Sequence, residues 1–327
     1  MRAYFVDEPG GPFRSADVPR LAIGSGQILI RVQASGLNPL DTKIRLGKAD
    51  HARQPLPAVL GLDMAGVVEE VGADVVNFRP GDEVYGMVGG VGGLQGTLAD
   101  FIAADETLVA HKPKNLSMRE AAVLPLSVIT AWEGLIDRAK VRSGQRVLVH
   151  AGAGGVGHIA AQLARALGAE VFATVSSDKA EIVKKLGATP IDYRRSSVEE
   201  YVVAHTDGQG FDIVYDTVGG ATLDASFTAV KRYTGHVVSS LGWGTHALAP
   251  LSFRAATFQP DLHLCWRSRS AGISDRRTLA PSSKYPRIRS DRAQGTPRLC
   301  SRLPLSTRYS VDLGNRFQQV TMLHARL

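Results

Sequence analysis

Cysteine is nearly absent from this chain, with only Cys265 and Cys300 among 327 residues. Two thiols cannot build a disulfide framework, and their scarcity points to a reducing compartment. Long apolar runs are missing as well. None approaches the roughly 20 residues that a membrane helix needs, which excludes a membrane-spanning helical protein. The start, MRAYFVDEPG, has neither the basic opening nor the apolar core of a secretory signal. The expected compartment is therefore the cytoplasm, with no membrane partner. The nine histidines are scattered, and no H-x-x-x-H pair would set two imidazoles on one helix face. No internal repeat of fixed period is visible.

Glutamate is missing from one region only. From Phe258 to Leu327 there are thirteen basic and four aspartate side chains and no glutamate, a net charge of +9. The preceding 257 residues hold 25 basic against 27 acidic side chains, a net −2. The basic character of the chain thus belongs to its last 70 residues, which are rich in Arg, Ser and Pro and keep no period of 2 or 3.6. That composition reads as disorder. A natural basic tail of this kind could hold nucleic acid electrostatically. Its aromatic residues are too sparse for a base-stacking platform, so nucleic acid is not the expected partner.

What is present in quantity is glycine, 34 residues, and three of them carry most of the information. In Arg146–Val175 (RVLVHAGAGGVGHIAAQLARALGAEVFATV) a short apolar strand pattern meets a glycine turn. A helix-period run from Val156 to Leu167 follows, Gly168 ends it, and a second apolar strand runs from Glu170 to Val175. Gly152, Gly154 and Gly157 stand at G-x-G-x-x-G, with Gly155 and Val156 between them. A lone glycine triplet is weak evidence; between a strand and a helix it marks a dinucleotide site. The three glycines permit a tight turn, close approach of a pyrophosphate, and close packing of helix on strand. The unpaired amides of the helix start then face an anion.

Elsewhere, residues 1 to about 120 read as β-rich, with strand patterns at Ile28–Val32, Gly66–Val71 and Glu83–Met87. Pro80-Gly81-Asp82 predicts a turn and Gly89–Gly93 a flexible loop. Ser117 and Glu120 predict a helix cap, with a break at Pro125. Beyond Arg146 strands and helices alternate in the βαβ manner. A helix is expected from Asp178, capped with Glu181, to Gly187; a buried strand at Asp212–Val218; a helix at Ala221–Val230; and a strand at Gly235–Leu241. Such alternation predicts an α/β fold with a doubly wound parallel sheet.

Five motifs in this order and spacing resemble the medium-chain dehydrogenase/reductase superfamily, in its zinc-independent quinone oxidoreductase (zeta-crystallin-like) branch. They are Gly61-Leu62-Asp63-Met64-Ala65-Gly66 with Val71-Gly72, Pro80-Gly81-Asp82-Glu83-Val84, Leu124-Pro125-Leu126 with Thr130-Ala131, the glycine loop, and Asp216-Thr217-Val218-Gly219-Gly220. The resemblance covers about residues 1 to 257. It implies a GroES-like catalytic domain over 1–122, a Rossmann domain binding NADPH over 123–257, and a cleft between them. Residues 258–327, where the resemblance, the periodicity and the charge balance all change, are expected to be a C-terminus altered by a shifted reading frame or in some other way.

The resemblance also implies site residues. Zinc members of the superfamily carry a ligand cysteine where this chain has Asn38, and a His-Glu pair where it has Leu62-Asp63, so the expectation is a metal-free site. Oxidising an unactivated alcohol needs a Lewis acid or strong base; reducing a quinone or an α,β-unsaturated carbonyl does not. Asn38 and Asp41 are expected beside the reacting carbonyl. Lys43, where some quinone reductases carry tyrosine, is either an oxyanion stabiliser or a solvated surface charge. On the cofactor side the resemblance implies Thr130, Val218, Leu241 and Gly242 at the nicotinamide, and Ser176, Ser177, Lys179 and Tyr193 around the 2′-phosphate of NADPH. The chemistry expected is hydride transfer to a quinone or enone. An NADPH-binding protein without catalysis, crystallin-like or RNA-binding, is the alternative. A homodimer joined edge to edge through the Rossmann sheet is also implied.

Overall fold

The computed structural model describes residues 1–260. The expected disorder and altered frame of the remaining tail, and both cysteines, lie outside the described residues.

The first part of the chain forms antiparallel sheet. Five strands lie in the order Phe101–Asp105, Gln27–Gly36, Asp63–Val71, Glu83–Met87 and Val109–His111. A smaller sheet sets Arg2–Val6 between Phe13–Asp17 and Ala58–Val59. The larger sheet closes on Ile28, Ile30, Met64, Val68, Val84, Ile102 and Val109, all buried. These β-branched and long apolar side chains suit a half-buried pleated surface. Register shifts between Leu29 and Ile30 and between Val32 and Ala34 bend the long central strand. The turn at Gly81 forms with φ +94°. The flexible loop expected at Gly89–Gly93 is a correction: Gly89, Gly90 and Val91 are buried. The Gly92 amide is pinned to the Ala52 carbonyl at 2.8 Å. A glycine run is extended and mobile only where nothing packs on it, and here a carbonyl lies 1.9 Å from where a Gly89 Cβ would stand.

The second part is a six-stranded parallel sheet. In space its strands run Thr189–Asp192, Glu170–Val175, Arg146–Val149, Ile213–Asp216, His236–Ser239 and Thr257–Pro260. Numbered along the chain, that is the order 3-2-1-4-5-6 of a doubly wound dinucleotide-binding sheet. The last strand sharpens the boundary expected at 257. Phe258 pairs with Val237 and Pro260 with Ser239, so the sheet extends three residues into the region assigned to the tail. Phe258 also packs edge-on against Phe227, centroids 5.5 Å apart.

Helix Gly155–Ala166 buries Ile159, Ala160, Ala161, Leu163 and Ala164 against this sheet. The small alanines let the helix approach closely, and Gly168 at φ +85° turns the chain away. Ser117 and Glu120 form the expected capping box, and the helix breaks before Pro125, restarting as Pro125–Trp132. The box expected at Asp178 and Glu181 does not form. A single 3-10 turn, Ser177–Lys179, intervenes before helix Ala180–Lys185. The Asp178 carboxylate is taken up by the Ser176 side chain, and Glu181 pairs with Lys184 at 2.7 Å. No helix among the described residues is long and apolar enough to cross a membrane.

Candidate functional site

The glycine loop lies where strand Arg146–Val149 gives way to helix Gly155–Ala166. Its glycines divide by what surrounds them. A Cβ at Gly152 would lie 2.4 Å from the Ala173 Cβ, and one at Gly157 only 2.1 Å from the Ala151 carbonyl. Both must be glycine for the backbone to close. A Cβ at Gly155 would meet nothing nearer than the Ser127 hydroxyl at 3.7 Å, and Gly154 and Gly155 face solvent. Gly154 is the helix N-cap without a side-chain cap, and no acidic residue stands in the first turn. The amides of Gly155, Val156 and Gly157 therefore have no intrahelical acceptor and open onto a bare backbone cradle. A pyrophosphate fits this cradle.

Ser176 and Tyr193 end neighbouring strands, because Val175 pairs with Asp192 across the parallel ladder. Ser177 donates its hydroxyl to Asp192. That bond, with the Arg194 amide, holds the Asp192 carboxyl below its usual range. Tyr193 is 54% exposed, and the Arg194 guanidinium lies 5.6 Å from its ring centroid. Lys179 is exposed at the same edge. The four residues expected around a 2′-phosphate are thus gathered here. Arg194, which the sequence reading passed over, joins them; its only signal was a cation one place beyond Tyr193.

At the same carboxyl end of the parallel sheet, two strands further along, Asp216 organises two loops. It is fully buried and accepts from the amides of Val218 (3.0 Å) and Gly219 (3.0 Å) and from the Ser239 hydroxyl (2.6 Å). A Cβ at Gly219 would lie 2.4 Å from the Leu241 carbonyl, so the Val218 and Leu241-Gly242 loops touch. Thr130 sits nearby on helix Pro125–Trp132, which packs on the glycine-loop helix. Its hydroxyl donates to the Leu126 carbonyl at 2.7 Å, and its own carbonyl accepts from the Tyr215 hydroxyl at 3.0 Å.

The junction of the two parts carries a buried polar cluster. Asn38 caps helix Pro39–Arg45, and the Asp41 carboxylate accepts from the Asn38 amide at 2.8 Å. The Asn38 side chain donates to Asp63 at 3.0 Å. Asp63 also accepts from the Leu126 amide at 3.1 Å, a hydrogen bond that joins the antiparallel sheet to the start of helix Pro125–Trp132. Burial pushes Asp63 up to about 7, against the pull of its Asn38 and Leu126 donors, with the Asp41 charge adding to the rise. Burial likewise pushes Asp41 up to about 6, opposed by the Asn38 and Gly61 amides. Asp63 had been read only as the place of a missing metal ligand. Lys43 stands two residues from Asp41 on the solvent face of the same helix. An open cavity of about 530 Å³ behind that helix, lined by Ile44, Ala49, Asp50 and Leu56 among others, contains none of Asn38, Asp41 or Lys43.

Zinc does not fit the junction. The groups on offer are the Asn38 amide, the Leu62 side chain, which has no ligating atom, and the carboxylates of Asp41 and Asp63, both already engaged by hydrogen-bond donors. Among the described residues no three His, Cys, Asp or Glu side chains converge on one point.

Comparison with known proteins assigns the chain. Residues 24–114 match the family model described as the alcohol dehydrogenase GroES-like domain, and residues 155–265 match that of the zinc-binding dehydrogenases. The chain is 57% identical to an alcohol dehydrogenase superfamily protein from Novosphingobium aromaticivorans, with a TM-score of 0.81 over 83% of this chain and 82% of that one. It is 33% identical to the quinone oxidoreductase of Coxiella burnetii, with a TM-score of 0.69 over 80% and 82% of the two chains. Among curated relatives, it is 46% identical to a 2-methylene-furan-3-one reductase of Solanum lycopersicum over 71% of this chain. It is 39% identical to an NADPH-dependent alkenal/one oxidoreductase of Arabidopsis thaliana over 78% of this chain. It spans 58% and 65% of the length of those two relatives. With a GroES-like β domain followed by a Rossmann sheet, the chain belongs to the medium-chain dehydrogenase/reductase superfamily, in its quinone-oxidoreductase-like branch.

Proposed function

We propose that this protein is an NADPH-dependent, zinc-independent reductase of quinones or α,β-unsaturated carbonyls. The observation that carries the reading is the pairing of an open glycine cradle with a junction whose polar groups leave no metal site. The names of the relatives, an alkenal/one oxidoreductase that uses NADPH and a quinone oxidoreductase, support the same chemistry. We take residues 1–122 as the catalytic domain and the residues from 123 to the last sheet strand as the cofactor domain.

NADPH, when bound, supplies the hydride from its nicotinamide. The chain's own residues bind and orient. The amides of Gly155, Val156 and Gly157 take the pyrophosphate at the positive end of their helix. Ser176, Ser177, Lys179, Tyr193 and Arg194 surround the ribose phosphate, cations and hydroxyls matching its charge. Thr130, Val218, Leu241 and Gly242 border the nicotinamide, with Gly152 and Gly154 shaping the turn below. Asn38 and Asp41 stand at the acceptor end, where they hold the helix that faces the cleft. Protonation of the reduced acceptor falls to solvent. Lys43, on the outer face of its helix, is a solvated charge in this reading.

We also propose a homodimer through the Thr257–Pro260 edge, no nucleic-acid partner, and a cytoplasmic setting, which the scarcity of thiols supports. The test of the main reading is NADPH oxidation with a panel of quinones and enones, with and without a zinc chelator. Turnover insensitive to the chelator is expected. Tight NADPH binding with no acceptor reduced would instead make the chain a non-catalytic cofactor binder.

A further inference from the structure

Immediately beyond Leu241 and Gly242, which the reading above sets at the nicotinamide, the chain places an exposed indole. Trp243 reaches across the cleft to the imidazole of His51, with ring centroids 5.2 Å apart and planes tilted by 34°. His51 lies in the 3-10 turn Asp50–Ala52 of the GroES-like domain, so the contact joins the two domains. It does so at the mouth that Val218 and Leu241 border. Trp243 is 50% exposed and His51 is exposed as well. A large aromatic ring held half in water is not serving as core.

The backbone that carries the indole is nonetheless held from behind. The Trp243 amide donates to the Leu241 carbonyl at 2.8 Å. Its carbonyl faces His246 Nε2 at 3.2 Å, while His246 Nδ1 lies 2.8 Å from the Asp224 carboxylate. Both partners of this imidazole are acceptors, an arrangement that favours its protonated form. Asp224 raises the His246 pKa in keeping with that state. Gly244, at φ +106°, lets the chain turn immediately after the indole. One face of the cleft mouth is therefore an indole carried on a hydrogen-bonded stretch of backbone. The other is a single ring on a three-residue turn, which can move aside without disturbing a strand.

We propose that Trp243 and His51 form an aromatic clamp that selects flat, conjugated acceptors, which displace the His51 ring and stack on the Trp243 indole. This rests on the reductase reading, and it deepens that reading by naming the acceptor class: extended planar rings such as naphthoquinones over small aliphatic enones. Offset stacking on an indole adds binding that a four-carbon enone is too small to collect.

The test uses the full chain and its Trp243→Ala, Trp243→Phe and His51→Ala variants, with 1,4-naphthoquinone and but-3-en-2-one as acceptors. Trp243→Ala should raise KM for the naphthoquinone about tenfold while changing KM for butenone less than about twofold, and Trp243→Phe should recover most of the loss. NADPH affinity, read from the cofactor's own fluorescence, should be unchanged in all variants. Without turnover, naphthoquinone should quench tryptophan emission of the native chain and of His51→Ala more than that of Trp243→Phe. Equal KM shifts for the two acceptors, or equal quenching of the native and Trp243→Phe chains, overturns the clamp. Differential quenching in a chain that reduces no acceptor would sink the reductase reading and leave the clamp standing.

Discussion

The two ends of the cleft handle charge in opposite ways. At the glycine loop the structure presents backbone: bare amides, no side-chain cap, and two glycines open to solvent. At the domain junction it buries side chains: two aspartates and an asparagine hydrogen-bonded to one another and to the Leu126 amide. The first arrangement awaits an anion from outside; the second is bonded within itself and ties the antiparallel sheet to helix Pro125–Trp132. A sequence motif can announce the first, because its geometry is local. The second exists only once three distant segments have met.

The comparison breaks most readily at the glycines. Gly157→Val should cost about 3 kcal/mol or more, because the Ala151 carbonyl stands where its Cβ must go. Gly155→Ala should fold with unchanged or slightly raised stability, since alanine suits a helix and has room there, yet weaken NADPH binding about tenfold by filling the cradle. Thermal melts and a cofactor titration read both. Equal melting points for the two variants would mean that the loop relaxes around a side chain.

At the junction, Asp63→Ala should cost about 2–4 kcal/mol, since it strands the Leu126 amide and the Asn38 side chain in a buried site. Asp63→Asn, which keeps an acceptor, should cost less in the same urea titration. If the alanine variant unfolds at the native midpoint, the cross-domain hydrogen bond has no role in stability.

The same cluster predicts a pH dependence with a definite sign. Asp63 at about 7 and Asp41 at about 6 lie above the value of 3.8 expected in the unfolded chain. The folded chain then holds protons that the unfolded chain releases. Their contribution is fully present below about pH 4 and is lost as the pH rises through 6 and 7. Across pH 5 to 8 the urea midpoint should fall, and Asp63→Asn should flatten the slope. A rising midpoint in the native chain alone would show that other groups dominate.

The smallest effects belong to the exposed rim of the cofactor site. Lys179→Ala and Arg194→Ala should each weaken NADPH binding about fivefold, leave NADH binding almost unaltered, and lose their effect in high salt. Equal weakening of both cofactors would move the 2′-phosphate elsewhere.

The legible parts of this chain were those in which neighbours in sequence are neighbours in space. Strands Glu83–Met87 and Glu170–Val175, the Ser117–Glu120 cap and the helix ended by Gly168 all follow from local pattern. The errors arose where a local preference met a distant partner. Asp178 was expected to cap a helix, but the Ser176 hydroxyl claimed its carboxylate. Gly89–Gly93 was expected to be loose, but the carbonyls of Ala52 and Gln95 hold it. Arg194 sits in no motif, and the motif that holds Asp63 marks it only as the place of an absent metal ligand, so neither stands out in the sequence as a site residue.

By itself, the sequence determined the class of fold, the nucleotide cradle and the want of metal ligands, because each depends on residue type at short, regular spacing. Tertiary structure alone decided that Asp63 ties the antiparallel sheet to Leu126, that Asp216 joins the ends of two neighbouring parallel strands, and that Trp243 meets His51. Those contacts join residues tens to nearly two hundred positions apart, and hydrogen bonds and ring contacts act over only a few ångströms. Until the sheets have formed and docked, nothing in the chain can indicate that these groups will touch.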